Sequence, residues 1–379
     1  MQTSPFASMS SRVLRKLAIA GMSFALSSCG GGGGSGSTPN PPVVPVPPIA
    51  PAALQRILFV GDSFTHGRYA PVRSYNAGGT QDAATGSSRV VDENYGQTGA
   101  RAELEPGPWG GIPGIFAALA VEASLNYDVH IEAISATSLD KNFAAAASVI
   151  EQSKWNAVVL QELSPKPLTF ALTGSTTSDP SAFCSSVKAI EQGVHGVAAS
   201  ANVYLYETWP RADLAQALSG AVGSTGYHDR YVANLAVLGN ANHNAYDSAA
   251  SHDGAIAGVA PVGDAWERAW SEGIANLDPS AASTLPLLWY NIETVNNPAI
   301  SAPDLLHPSI YGAYLSGLVL FQQVTGSDVR SFGASESAAQ ALGIPAATAV
   351  QLQRVAWEAV TQESAAPIDQ AVDPCTLTQ

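Results

Sequence analysis

Ile57-Leu58-Phe59-Val60 is an unbroken apolar run closed by Gly61. A run that short predicts a strand buried on both faces, ending where the backbone can turn without a Cβ. Beyond it, helical and strand periodicities alternate. Ile112 to Leu125 carries apolar residues at helical spacing with Pro113 in the first turn, and Asp128 to Ile134 alternates as a second strand. Phe143 to Ser153 reads as a helix, Asn156 to Leu160 as an apolar strand, and Ala182 to Ser200 as a helix. Asn202 to Tyr206 is a fourth strand, His228 to Ala250 a long helix, and Ala257 to Val262 a short fifth strand. Tyr311 to Val324 is a helix with Ser309 as its N-cap and Gly326 as its stop. Strands alternating with helices predict one doubly wound, mostly parallel five-stranded sheet.

Two segments break the pattern. Residues 68–110 are polar and Gly-rich and include Tyr69, Tyr75, Tyr95 and Trp109, and residues 276–303 are irregular. A long loop after the first strand is expected to cover part of the site that the strand ends in.

The termini follow other rules. Arg12 to Lys16 form a basic start, Leu17 to Leu26 an apolar run too short to span a bilayer, and Ser27-Ser28-Cys29 a small-residue end. Leu26-Ser27-Ser28-Cys29 is similar to a bacterial lipobox, whose cysteine is lipidated. Residues 1–28 are therefore expected to be a lipoprotein-type signal, with Cys29 the modified residue. Residues 29–52, rich in Gly and Ser and then in Pro, form a linker, and the domain spans 53–330. Residues 331–379 form a helical extension and tail. The chain is expected to be exported and held at the outer membrane or cell envelope through lipid alone, facing the periplasm or the exterior.

Composition narrows the partners. The 379 residues are 46% hydrophobic, enough for a large core, and carry a net charge of −14. Without the first 28 residues, 14 basic side chains face 31 acidic ones. That balance argues against nucleic acid and anionic lipid as partners. Cys184 and Cys375 either pair, pinning the tail, or remain separate thiols.

The chemistry begins at Gly61-Asp62-Ser63. Ser63 follows the C-terminal end of the first strand, the edge at which open α/β sheets bind ligands. A hydroxyl needs a base and an orienting acid to act as a nucleophile. Asp304 and His307, three apart before the last long helix, supply that pair: the imidazole takes the proton and the carboxylate holds its other nitrogen. No Gly-x-Ser-x-Gly elbow occurs. Asp62 is read as a brace of the turn and His66 as a loop or rim residue. His228, His243 and His252 lack metal-ligand spacing on one helix face and read as scattered surface histidines. Trp109, Trp209, Trp289 and Tyr290 either line a pocket or fill the core.

With Gly61-Asp62-Ser63 first and Asp304-Leu305-Leu306-His307 last, the chain resembles the SGNH/GDSL hydrolases between about Arg56 and Gly326. The resemblance implies a flavodoxin-like three-layer α/β/α fold and a serine esterase or lipase with catalytic Ser63, Asp304 and His307. The middle blocks depart from the family. Its second-block Gly is replaced in Ser135-Ala136-Thr137-Ser138, where the Ala136 amide serves unless the position requires a positive φ. Its third-block Asn is replaced in Leu160-Gln161-Glu162, and Gln161 has the same donor on a longer arm. A Gln with an adjacent Glu also occurs in a subgroup of the superfamily. The implied oxyanion hole is the Ser63 amide, the Ala136 amide and the Gln161 side chain. The expected reaction cleaves a small-molecule, lipid or polymeric ester through an acyl-enzyme, with no cofactor and no metal. The alternatives are acyl transfer to an extracellular glycan and a tethered binding protein with a degenerate site.

Overall fold

Strand β1 (Gln55–Gly61) lies in the interior of a six-stranded, wholly parallel sheet. The computed structural model describes residues 53–78, 89–290, 304–362 and 373–377; the expected leader, the linker and Cys29 lie outside these, as do residues 291–303. The other strands are β2 (Val91–Asp92), β3 (Tyr127–Ala133), β4 (Ala157–Leu160), β5 (Asn202–Tyr206) and β6 (Gly258–Ala260), in the order β2-β3-β1-β4-β5-β6. Five strands were expected and six occur. The addition is a two-residue edge strand, Val91 level with His130, too short to leave a periodicity. Without it the order is that of flavodoxin-like sheets, and the switch point falls between β1 and β4.

The apolar run of β1 is continuous because both faces of the sheet are covered. Ile57 and Phe59 enter one core, and Leu58 and Val60 the other. The first core is packed by α2 (Gly111–Glu122), α8 (Val262–Ser271) and α9 (Ile310–Thr325). The second is packed by α3 (Leu139–Ile150) and α5 (Pro180–Val197). The long α7 (Tyr227–Asp253) puts Leu235 and Leu238 in the first core and Tyr246 and Ala249 in the second. Shorter helices are α1 (Ser63–His66), α4 (Phe170–Thr173), α6 (Ala212–Ser219) and α10 (Ser337–Leu342).

Caps set the helix boundaries. α5 begins at Pro180 because Asp179 accepts from the Ala182 N–H at 2.9 Å with proline in the first position. Ser309 Oγ accepts from the amides of Tyr311 and Gly312 to start α9, and Gly326 stops it at φ 70°. α3 starts at Leu139, earlier than its apolar spacing suggests. Its orphan Leu139 N–H is satisfied from another strand's end by Glu162 Oε1 at 2.9 Å. α8 was not expected at all, having been read only as the residues following a strand.

The polar positions of β3, which on an exposed strand would face water, are buried. Asp128, His130 and Glu132 are at most 1% exposed and meet Arg56, Glu93 and Arg101. In the C-terminal extension, α11 (Ala346–Thr361) buries Leu352, Val355 and Ala356 in the same core as β1. Cys184 on α5 and Cys375 form a disulfide that fixes residues 373–377 against the domain.

Candidate active site

β1 delivers Ser63 to the C-terminal edge of the sheet, beside the switch point. The turn is held from several directions. Asp62 caps α1, its Oδ1 accepting from the Phe64 N–H at 2.8 Å. Gln161, at the end of β4, accepts from the Asp62 N–H at 2.9 Å and from Thr65 Oγ1 at 2.8 Å. Asn142 on α3 donates to the Gly61 carbonyl at 2.9 Å. Gly61 is required here, because a Cβ would strike Thr65 and Gln161. Burial pushes the Asp62 carboxyl up to about 7, against the hydrogen bonds from Phe64 and Gln161.

Asp304 and His307 sit on a tight turn before α9. Leu305 between them adopts φ 49°, a strained conformation for a leucine. Asp304 Oδ1 accepts from the amides of Leu306 (3.2 Å) and His307 (2.9 Å). Trp209 Nε1 holds the Leu306 carbonyl at 2.9 Å, and the Tyr290 amide holds the His307 carbonyl at 2.7 Å. The His307 ring sits edge-on to Phe64 and Tyr69. Its Nδ1 lies 2.8 and 2.9 Å from the two Asp304 oxygens, and its Nε2 lies 2.8 Å from Ser63 Oγ. The three side chains expected from the sequence thus meet in one line.

Burial removes water from the His307 imidazolium and lowers its pKa below the ordinary 6.5, although the bond to Asp304 partly restores it. Burial alone would raise Asp304. The hydrogen bond and charge of His307 outweigh it, with help from the Tyr69 hydroxyl, and hold Asp304 far below the usual carboxylate range. At neutral pH Asp304 is ionised and His307 neutral. The carboxylate fixes the proton on Nδ1 and leaves the Nε2 lone pair for the Ser63 hydroxyl. A base in that state loses activity only when protonated. The kcat/KM of any reaction it serves is expected to fall on acidification with a midpoint below 6.5, measured as the acid limb of a pH–rate profile.

A second serine–histidine contact lies alongside. His66 is fully buried rather than a rim residue, stacked on Trp109 at 4.1 Å, with Nε2 2.8 Å from Ser135 Oγ. The two pairs differ in where the proton sits. His66 Nδ1 accepts from the Arg68 N–H at 3.1 Å, so the proton of the neutral ring is on Nε2 and is donated to Ser135. Ser135 in turn donates to Glu105 at 2.5 Å. Burial above all keeps His66 neutral, its pKa well below 6.5. A nitrogen already carrying its proton is no base, so this chain only orders the loop after β3.

Among the described residues the amide of Ser63 and, in that loop, those of Ser135, Ala136 and Ser138 have no backbone acceptor. The position does require the positive φ named as the condition against Ala136, and the alanine adopts it at 56°, so its amide keeps the direction a Gly would give at the cost of strain. A Cβ in that conformation costs ~1 kcal/mol or more. Ala136→Gly is expected to stabilise the fold by about 1 kcal/mol, read as a raised denaturant midpoint. Gln161 differs from the expected free donor. Its Oε1 braces the turn and its Nε2 donates to the Glu162 carbonyl at 2.6 Å. This engagement has no signal in the sequence, because the groups Oε1 accepts from, Asp62 and Thr65, are 99 and 96 residues away.

Tyr69, which donates to Asp304 Oδ2, went unassigned in the sequence, although the loop that carries it was expected at the site. Trp209 and Trp109 are fully buried, stacked on Phe64 and His66 respectively. Trp289 and Tyr290 instead line a cavity of about 690 Å³ on the far side of Tyr69. Ser63, 7% exposed, is not among the residues lining that cavity.

No family model matches this chain, and no curated protein matches it. Among solved structures it is similar to a DUF4886 family protein from Bacteroides uniformis, at 13% identity and TM-score 0.47 over 84% of this chain and 100% of that one. It is also similar to TesA, at 12% identity and TM-score 0.38 over 72% and 99%. A third is Axe2, an acetylxylan esterase from Geobacillus stearothermophilus, at 11% identity and TM-score 0.40 over 73% and 97%.

Proposed function

We propose that this chain is an exported serine esterase of the SGNH/GDSL type. The observation that supports it most is the line from Asp304 through His307 to Ser63, in which every donor meets an acceptor and the free lone pair faces the hydroxyl. In this reading Ser63 Oγ attacks the ester carbonyl while His307 Nε2 takes its proton. The Ser63 and Ala136 amides receive the oxyanion, and Gln161 keeps the Ser63 amide in position. His307 then gives the proton to the leaving alcohol, leaving Ser63 acylated. Water, deprotonated by the same nitrogen, releases the acid.

Export is part of the proposal, with lipid attachment at Cys29 and a domain facing the periplasm or exterior. The Cys184–Cys375 disulfide supports an oxidising compartment. Among the described residues no helix is long and apolar enough to cross a membrane.

The test is a series of p-nitrophenyl esters from acetate to octanoate, with acetylated and unmodified glycans added. A hydrolase releases acid and p-nitrophenol in equal amounts whatever glycan is present. Acid release falling below p-nitrophenol release when unmodified glycan is added would assign the acyl group to a sugar acceptor instead. No turnover of any ester by folded protein would leave only a binding role.

A further inference from the structure

Behind the aromatic wall of the site, the residue after β5 ends in a buried carboxylate with nothing bound to it. Glu207 is 1% exposed, and neither of its oxygens has a hydrogen-bond partner among the described residues. Burying an unpaired carboxylate is costly, and native structures pair such groups or bind metal to them. Around it stand His243 and Asp247 from α7 and Asp264 and Glu267 from α8. His243 Nδ1 is 3.1 Å from Asp264 Oδ2, and its Nε2 is 3.5 Å from Asp247 Oδ2. Ligand atoms of Glu207, His243 and Asp264 all lie within 4.8 Å of one another. Glu267 Oε1 is also buried without a partner. None of the four carboxylates forms an ion pair with Lys or Arg among the described residues; the cation nearest to hand is the imidazole.

The backbone makes room for this cluster. A methyl at Gly263 would sit 2.6 Å from Glu207 Oε1, and one at Gly239 would overlap Glu267 Oε1. His243, expected to be one of several scattered surface histidines, is therefore half-buried among carboxylates.

We propose that Glu207, His243 and Asp264 bind a divalent transition-metal cation of the Zn²⁺ class, with Glu267 and Asp247 around it. An imidazole with carboxylates suits Zn²⁺ better than Ca²⁺ or Mg²⁺, which take oxygen alone. Donors at ~2.0–2.2 Å from one ion lie at most about 4.4 Å apart, so the set closes on it with shifts below about 1 Å. The ion's place is structural. It ties β5, α7 and α8 together two residues from Trp209, whose ring stacks on Phe64 at 4.5 Å beside Ser63. The ester chemistry does not pass through it, and this assignment stands or falls independently of the proposed activity.

The experiment uses the full chain, stripped with chelator and titrated with Zn²⁺, with Mn²⁺ and Ca²⁺ in parallel. Calorimetry reads stoichiometry and a melting scan reads stability. One equivalent of Zn²⁺ is expected to bind, raising Tm by about 4 °C or more at a hundredfold excess over Kd. Glu207→Gln, which keeps the shape and removes the charge, is expected to weaken Zn²⁺ at least a hundredfold and abolish the shift. Ser63→Ala is expected to keep both. Should Glu207→Gln fail to fold, Asp264→Asn at the more exposed edge serves the same comparison. No stoichiometric binding by the wild-type chain overturns the proposal and leaves Glu207 as a protonated buried carboxyl, the state that burial favours. Undiminished Zn²⁺ binding in the variant that folds also overturns it.

Discussion

Ser63→Ala is expected to lower kcat/KM for p-nitrophenyl acetate by about 10⁴-fold or more and to abolish labelling by a fluorophosphonate. The control is Ser135→Ala. Both serines lie 2.8 Å from an imidazole nitrogen, so distance alone does not separate them. The proton does: His307 Nε2 is an acceptor because a carboxylate holds the other nitrogen, and His66 Nε2 is a donor because a backbone N–H holds its other nitrogen. Ser135→Ala is accordingly expected to retain labelling at Ser63 and most of its activity. Labelling that survives Ser63→Ala and disappears in Ser135→Ala would reverse the assignment.

Asp304→Asn is expected to cost about 10³–10⁴-fold in kcat with little change in stability. The variant isolates orientation from architecture. Asp304 Oδ1 accepts two backbone N–H groups, and an Asn oxygen placed there keeps both. Its amide nitrogen then stands in place of Oδ2, 2.9 Å from His307 Nδ1, where a donor facing Nδ1 favours the tautomer with the proton on Nε2. The ring becomes a donor toward Ser63, the state His66 already shows toward Ser135. Because the backbone hydrogen bonds of the turn persist and the Tyr69 hydroxyl can accept from the new amide in place of donating to Oδ2, the denaturant midpoint is expected to stay close to wild type. A loss below tenfold, or a loss matched by unfolding, would remove Asp304 from the orienting role.

Gln161 shows how far a residue's place in a motif fails to describe its work. Its position at the end of the third long strand was legible, and so was its amide. Its engagement was not, because Asp62 and Thr65 converge on it only once β4 lies beside β1. Asn142 and Tyr69 were missed for the same reason. Each sits where its local pattern marks it as ordinary, one on a helix and one in a loop, and each acquires its partner across the sheet edge. The polar face of β3 was silent in the same way, since alternation signals two unlike faces and does not say that the polar one is covered.

What the chain's residues determined by themselves is local and periodic. The runs of β1 and β4, the Ser309 and Asp179 caps and the Gly326 stop follow from side-chain sterics and orphan amides within a few residues. So does the order in which a serine, an aspartate and a histidine reach one end of the sheet. The tertiary structure decided which hydroxyl each imidazole faces, because His307 and Ser63 are 244 residues apart and His66 and Ser135 are 69 apart. It also decided that a glutamate after β5 ends buried with no hydrogen-bond partner among the described residues, a state no spacing encodes.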